Sequence, residues 1–154
     1  RQDKVKDFVD YVLTFEELQA LFDSRDLEIT EMEEGVLDNA SYFGRIFARC
    51  GGLATAVEQA LREQGVTPEE FTLKATSCNG IAECHTALLK AQKGVLPENF
   101  IEGMACEGGC IGGPACLSHS SKNAAQVDAY GRSSMEQTIS DAIGVLRLNE
   151  TANH

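Results

Sequence analysis

The chain has 154 residues, room for one domain of ordinary size, and a chain this long buries roughly 70 % of its unfolded surface without help from disulfides. Hydrophobic residues make up 43 % and charged residues 24 %, which excludes general disorder, collagen-like repeats and coiled coil. Thirteen basic against 24 acidic residues leave a net charge of −11, which argues against nucleic acid and anionic membranes as partners.

Phe8 to Leu13 is mostly apolar and β-prone, a candidate buried strand. Thr14 followed by Glu17 is a capping box, opening a helix with Phe15, Leu18, Leu21 and Phe22 on one face. Seven acidic residues lie between Asp23 and Asp38 against the single Arg25, an aperiodic stretch read as a solvated loop with room for one short strand. Helical spacing returns at Leu53, Ala56, Val57, Ala60 and Leu61, and Gly65 is its natural stop. Phe71 to Thr76 reads as a strand; Ile81, Cys84, Leu88 and Leu89 form the next helical stripe, ended by Gly94. Asn99 to Met104 is a third short strand, and Cys106 to Pro114 is a glycine-rich loop. A weak helix spans about Ser121 to Tyr130. A second capping box, Ser133 and Glu136, opens a last helix lined by Met135, Ile139, Ala142, Ile143 and Leu146. Strand–helix alternation with connections of this length implies parallel strands. The expectation is an α/β fold: a single domain over residues 1–154, with a small, mostly parallel sheet of three or four strands flanked by helices, and C-terminal helices.

No apolar run is long enough to span a membrane, and the charged start, Arg1 to Lys6, carries no signal-peptide core. The chain does not start with Met and is expected to be a piece of a longer protein. Its six cysteines, at 50, 78, 84, 106, 110 and 116, fit reduced thiols in a cytoplasmic protein better than a disulfide framework.

The stretch that carries chemistry is Met104-Ala105-Cys106-Glu107-Gly108-Gly109-Cys110-Ile111-Gly112-Gly113-Pro114. Two cysteines sit four apart around a Gly-Gly pair, so a helix-like turn puts both sulfurs on one side. Glycines let the backbone approach a bulky ligand, and their N–H groups can stabilise negative charge on sulfur. The loop follows the C-terminal end of a parallel strand, where α/β folds place their sites. Cys116 lies six residues beyond Cys110 and could join as a third thiolate. The spacing fits an iron–sulfur cluster, a zinc site, a redox thiol pair or a glycine turn with two packed cysteines. Cys84 reads as packed on its helix. Cys78 reads as packed near the strand end, and Cys50 as either site-adjacent or structural. His85 and His119 have no metal-like spacing. Glu102 could orient the cysteine loop by accepting backbone N–H bonds, or be a surface carboxylate.

Glu102-Gly103-Met104-Ala105-Cys106-Glu107-Gly108-Gly109-Cys110 resembles the last signature of the iron-only ([FeFe]) hydrogenases, E-x-M-A-C-x-G-G-C. Ser41, Gly44, Ile46, Phe47, Gly51, Gly52 and Ala56 resemble a second stretch of that family in register, and Leu13 to Leu18 resembles its L-T-x-x-E-L segment. The resemblance runs from about Asp10 to Pro114. It implies the second lobe of an active-site domain whose cluster, a 4Fe-4S cubane joined to a two-iron unit, lies between two α/β lobes. It implies Cys106 and Cys110 as cubane ligands, the latter bridging to the two-iron unit, with Met104 and Phe47 lining the pocket beside Gly108 and Gly109. It implies reversible reduction of protons to hydrogen in the parent protein, an N-terminal lobe of the same protein as partner, and a ferredoxin-like electron carrier. The family's two earlier signatures, T-S-C-C-P and M-P-C-x-x-K, are absent, so this chain alone is expected to be inactive and can lack the cluster. The loop after Cys110 is short, Cys50 stands where Thr is typical, and Cys116 is extra. These departures resemble sensory-type relatives, which makes a non-catalytic redox or hydrogen sensor on the same scaffold the alternative reading.

Overall fold

The computed structural model describes residues 5–35 and 40–145. These residues form a mixed α/β structure whose contacts separate into two compact units. The first comprises the N-terminal segment through Gly35 together with Pro114–Ser118; the second comprises the rest.

In the first unit, helix α1 runs Phe15–Asp23 and begins at the expected capping box. The Glu17 N–H donates to Thr14 Oγ1 at 3.2 Å, and the Thr14 N–H donates to the Glu17 carboxylate at 2.7 Å. Leu18 and Phe22 are half-buried, but Phe15 and Leu21 are exposed, so only half of the predicted apolar face is covered. The strand expected over Phe8–Leu13 does not form. The Phe8 and Val9 N–H groups both turn back onto the Val5 carbonyl, and no neighbouring strand among the described residues offers a ladder. The described part of the acidic stretch holds a 3-10 turn, Ile29–Glu31, and no strand.

The second unit opens with α2 (Tyr42–Arg45), capped by Ser41, and a 3-10 turn over Ile46–Ala48. Helix α3 spans Gly52–Glu63 and α4 spans Ile81–Gln92. Both stop where the sequence places a glycine. Gly65 and Gly94 have φ of +73° and +66°, and the following N–H groups of Val66 and Val95 return to Leu61 and Lys90 at 3.0 Å. Positive φ is what glycine supplies at such a stop.

Strands β1 (Ala75–Asn79) and β2 (Phe100–Met104) pair in parallel, from Ala75 opposite Phe100 to Asn79 opposite Met104. The sheet has two strands among the described residues, not three or four. The expected strand at Phe71–Thr76 is displaced toward Asn79 because its first half is tied into side-chain bonds. Glu70 accepts from Thr67, Thr72 donates to the Pro68 carbonyl, and Asn99 bonds both Thr72 and Lys74. Helix α3 covers the sheet face carrying Ser77 and Glu102, whereas α4 lies beside Thr76 and Cys78.

Helix α5 (Asn123–Arg132) crosses α2 at Gly131, where an added Cβ would stand 2.8 Å from the Tyr42 ring and 3.1 Å from Ile46. Arg45 lies 4.6 Å over the Tyr130 ring in the same contact. The last helix, α6, is described over Ile139–Val145, and Leu146 lies outside the described residues. Ser133 does not cap it: its hydroxyl donates to the Tyr130 carbonyl and closes α5. The α6 N-terminus is held by Thr138, which accepts from Asp141 N–H at 3.0 Å, and by the Glu63 carboxylate, which accepts from Ile139 and Ser140 N–H at 2.9 Å.

Among the described residues the buried apolar set is Ile46, Ala54, Ala56, Cys78, Ala87 and Ala142. The stripe expected to be buried on α4 is instead largely open, with Ile81 71 % and Leu88 59 % exposed and Ala87 buried in their place. Among the described residues, no helix is long and apolar enough to cross a membrane.

Candidate functional site

The site is built on the C-terminal ends of the two parallel strands. Gly80, the residue after β1, donates to the Met104 carbonyl at the end of β2, 2.8 Å away. The chain then turns through Cys106–Gly109, where Gly109 N–H returns to the Cys106 carbonyl at 3.0 Å, and runs into a 3-10 turn over Cys110–Gly112.

Gly108 and Gly109 have φ of +86° and +92°, a region that side-chain-bearing residues rarely occupy. Their backbone is pinned at three points. Gly108 N–H donates to Asn79 Oδ1 at 2.5 Å, Gly108 carbonyl accepts from Cys50 N–H at 3.1 Å, and Gly109 pairs with Arg49 in an antiparallel bridge. A Cβ on Gly109 would stand 2.7 Å from the Cys50 nitrogen and 2.8 Å from the Ala48 oxygen. Close approach of two backbones is what that glycine permits. Cys106 is half-buried, with its sulfur 3.6 Å from where a Cβ on Gly113 would stand, and Cys110 is exposed.

The 49–52 turn that receives the glycine pair is itself held from two sides. Arg49 pairs with Asp128 at 2.6 Å and donates to the Cys50 carbonyl at 3.2 Å. Burial alone would lower the Arg49 pKa, but its bonds to Asp128 and Tyr42 outweigh this and raise it. From beneath, Glu102 is 2 % exposed and accepts from the N–H groups of Gly51 and Ala54 at 2.9 Å, from Leu53 at 3.4 Å, and from the Ser77 hydroxyl at 3.1 Å. Helix α3 has no cap from its own N-cap residue, Gly51, so this strand carboxylate satisfies its orphan donors. Glu102 thus accepts backbone N–H bonds from the α3 end, which receives the cysteine loop, and it is buried, not a surface carboxylate.

The other expected residues fall as follows. Met104 is half-buried at the end of β2. Phe47 is 47 % exposed and lines a small apolar cavity of about 180 Å³ with Phe43, Ala56 and Ile143. Cys50 is half-buried; burial, then the charges of Glu102, Glu83 and Cys78, push its thiol up, which keeps it protonated near neutrality. Cys116 lies in the 114–118 segment, which groups with the N-terminal unit, whereas Cys106 and Cys110 belong to the other. His119 is exposed and borders a cleft of about 400 Å³ with Glu107, Ile111 and Asn123, and His85 is exposed on α4. Sequence reasoning missed Asn79 and the Arg49–Asp128 pair as supports of the loop. An available signal was the start of α3 at Gly51-Gly52, which offers no Ser, Thr, Asp or Asn cap and so calls for an acceptor from elsewhere.

Thiolates beside a glycine backbone suit an iron–sulfur centre in kind, since the cluster is a bulky anion. They do not suffice in number. Among the described residues no group of three or more His, Cys, Asp or Glu side chains could hold a metal ion, and a cubane takes four ligands.

The fold is that of an α/β protein with a cysteine pair on a glycine loop at the carboxyl ends of its parallel strands. Residues 1–114 match the family model of the iron-only hydrogenase large subunit, C-terminal domain, and the chain belongs to that family. No curated protein sequence matches the chain.

Proposed function

We propose that this chain supplies part of the cluster-binding pocket of an iron-only hydrogenase-like iron–sulfur protein. Cys106 and Cys110 provide two thiolates, Cys116 is a further candidate thiolate, and Met104, Phe47, Gly108 and Gly109 line or shape the pocket. The remaining ligands of a 4Fe-4S centre come from an N-terminal partner region. A cluster bound there, with its two-iron unit, would supply electron storage and reversible proton reduction, with electrons delivered by a ferredoxin-like carrier, in a reducing compartment such as the cytoplasm.

The observation that carries this reading is the docking of Gly108-Gly109 on the Cys50–Gly51 turn. It fixes the backbone between the two cysteines and leaves Cys110 facing outward. This chain's own residues position and shield: Asn79 and Arg49 set the loop, and Glu102 sets the turn beneath it. The exposed apolar residues Ile81, Leu88 and Phe47 also suit a chain that is covered by a further part of the protein.

The test is anaerobic reconstitution of the full parent protein with iron and sulfide, scored by bound iron and by the brown chromophore. Cys106→Ser and Cys110→Ser are each expected to lose most of the chromophore, while His85→Ala retains it. A colourless protein that binds zinc through the same cysteines would overturn the reading. The chain alone is expected to evolve no hydrogen after maturation, because groups that act as a unit fail together.

A further inference from the structure

Cys78 and Cys84 take no part in the site just described, yet they meet on one face of the strand pair. Cys78 lies on β1 opposite Gly103 of β2, and its residue is 3 % exposed. Cys84 lies in α4, and its thiol points down onto that same strand pair. The Cys84 sulfur is 3.6 Å from the Met104 carbonyl oxygen and 3.9 Å from that of Cys78. It is also 3.2 Å from where a Cβ on Gly103 would stand, so the glycine leaves the room the sulfur occupies. Gly103 is the register partner of Cys78, so a Cβ there and the Cys78 side chain share one sheet face, and the Cys84 sulfur lies on that face. The two thiols are not sealed off. Cys78 lines a cleft of about 350 Å³ between β1 and α4, bordered by Thr76, Glu83 and Lys90, and Cys84 is half-buried.

We propose that Cys78 and Cys84 are a redox-active dithiol that closes to an intramolecular disulfide when it meets a small disulfide such as oxidised glutathione. The pair is distinct from the Cys106–Cys110 pair and does not depend on any cluster. The Cys84 thiolate attacks one sulfur of the small disulfide, forming a mixed disulfide and releasing one small thiolate. The Cys78 thiolate then attacks the Cys84 sulfur and releases the second. The protein pair loses two electrons and two protons; the small disulfide gains both and leaves as two thiols. Cys78 is buried and Cys84 only half-buried, so Cys84 is the sulfur that a small disulfide reaches first; burial, then Cys84, also pushes the Cys78 thiol up. Closure also removes the S–H donor from the Met104 carbonyl, two residues before Cys106.

Mass mapping tests this directly. Cys78 and Cys84 lie between Lys74 and Lys90 and share one tryptic fragment. The full chain, reduced and free of metal, is treated with oxidised glutathione, quenched with an alkylating agent and digested. The fragment is expected to be unalkylated and lighter by two hydrogen atoms, and to recover both alkylation sites after reduction. A fragment alkylated at both sulfurs, one carrying a stable glutathione, or one bonded to a different cysteine would overturn the proposal. Cys78→Ser should trap glutathione on Cys84, whereas Cys84→Ser should take up glutathione on Cys78 at least about tenfold more slowly. Equal uptake by the two variants would contradict the order of attack.

Discussion

The two faces of the β1–β2 sheet are closed by different means. Toward α3, the contact is polar at its centre: Glu102 is buried and accepts from N–H groups of the helix end and from the Ser77 hydroxyl across the sheet. Ala54, a small residue whose N–H bonds Glu102, is buried there. Toward α4, the contact is apolar and thin. Ala87 and Cys78 are buried, while Leu88 and Leu89 point away and a cleft remains. One face is thus fixed by directional bonds and the other by a few small contacts. The cysteine loop is anchored to the first kind of surface, through the turn that Glu102 holds. A loop anchored this way is held in orientation more than by area, because hydrogen bonds fix direction and apolar burial does not.

The largest effect is expected where the polar face is cut. Glu102→Ala leaves the Gly51, Leu53 and Ala54 N–H groups without their acceptor in a buried place. With about 1–3 kcal/mol for each unsatisfied buried donor, partly relieved by water, the loss should be about 3–5 kcal/mol. Denaturant unfolding followed by circular dichroism measures it. Loss of less than about 1 kcal/mol would mean that the α3 end is not held by this carboxylate. Glu102→Gln keeps the shape but not the charge and should cost less, because charge-assisted bonds are roughly twice as strong as neutral ones.

Next comes the glycine pair that rests on this face. Gly109→Ala meets both a positive φ and a Cβ at 2.7 Å from the Cys50 nitrogen. The backbone has to move, at about 2–3 kcal/mol. Gly65→Ala is the control. It has a positive φ as well but open space around its Cβ, so it should cost only the conformational part, about 1 kcal/mol. Equal losses in the two variants would show that the Gly109 contact with Cys50 does not constrain the loop.

The same contrast explains what could be read from the amino-acid sequence. The helices were legible because their signals are local: Thr14 with Glu17, the Leu53–Leu61 spacing, and the stops at Gly65 and Gly94. So was the glycine-rich loop, whose Gly108 and Gly109 take positive φ. The strands were legible only in part. Phe8–Leu13 has strand propensity but no partner strand among the described residues, and propensity is weak without a ladder. The α4 stripe was misread because Ile81 and Leu88 have helical spacing, and spacing does not say whether anything covers the face. The Glu102 cap was hidden because it joins residues about fifty positions apart. Sequence pattern shows what a residue offers, and only the fold shows who accepts it.

A smaller, pH-dependent effect is expected at the second carboxylate cap, Glu63. Burial alone would raise its pKa. Bonds from Ser140, Gln59 and the Ile139 backbone outweigh this and bring it from 4.5 to about 2. A carboxylate whose folded pKa is depressed contributes its full stability above the unfolded value, and that contribution is lost as the pH falls from about 4.5 to about 2. Glu63 is only partly shielded from solvent, so screening reduces the contribution to about 1–2 kcal/mol. Glu63→Gln should therefore destabilise at pH 7 and do little at pH 2, and thermal melts at both values decide it. An equal loss at both would show that shape, not charge, holds the α6 end.

The smallest effect should appear on the open side. Leu88 is 59 % exposed in this chain, so Leu88→Ser removes little buried area and should change the stability of the chain alone by no more than about 0.5 kcal/mol. The result turns informative when the same substitution is placed in a longer protein. If the α4 face is covered there, burying a leucine contributes about 1.5–3 kcal/mol, and the substitution should cost a comparable amount. A near-zero effect in both would leave the exposed stripe as ordinary surface. A large effect in the chain alone would mean that α4 is packed more tightly than its exposure indicates. The expected pattern, silent alone and costly in the longer protein, would make the thin apolar side of the sheet the face that another part of the protein completes.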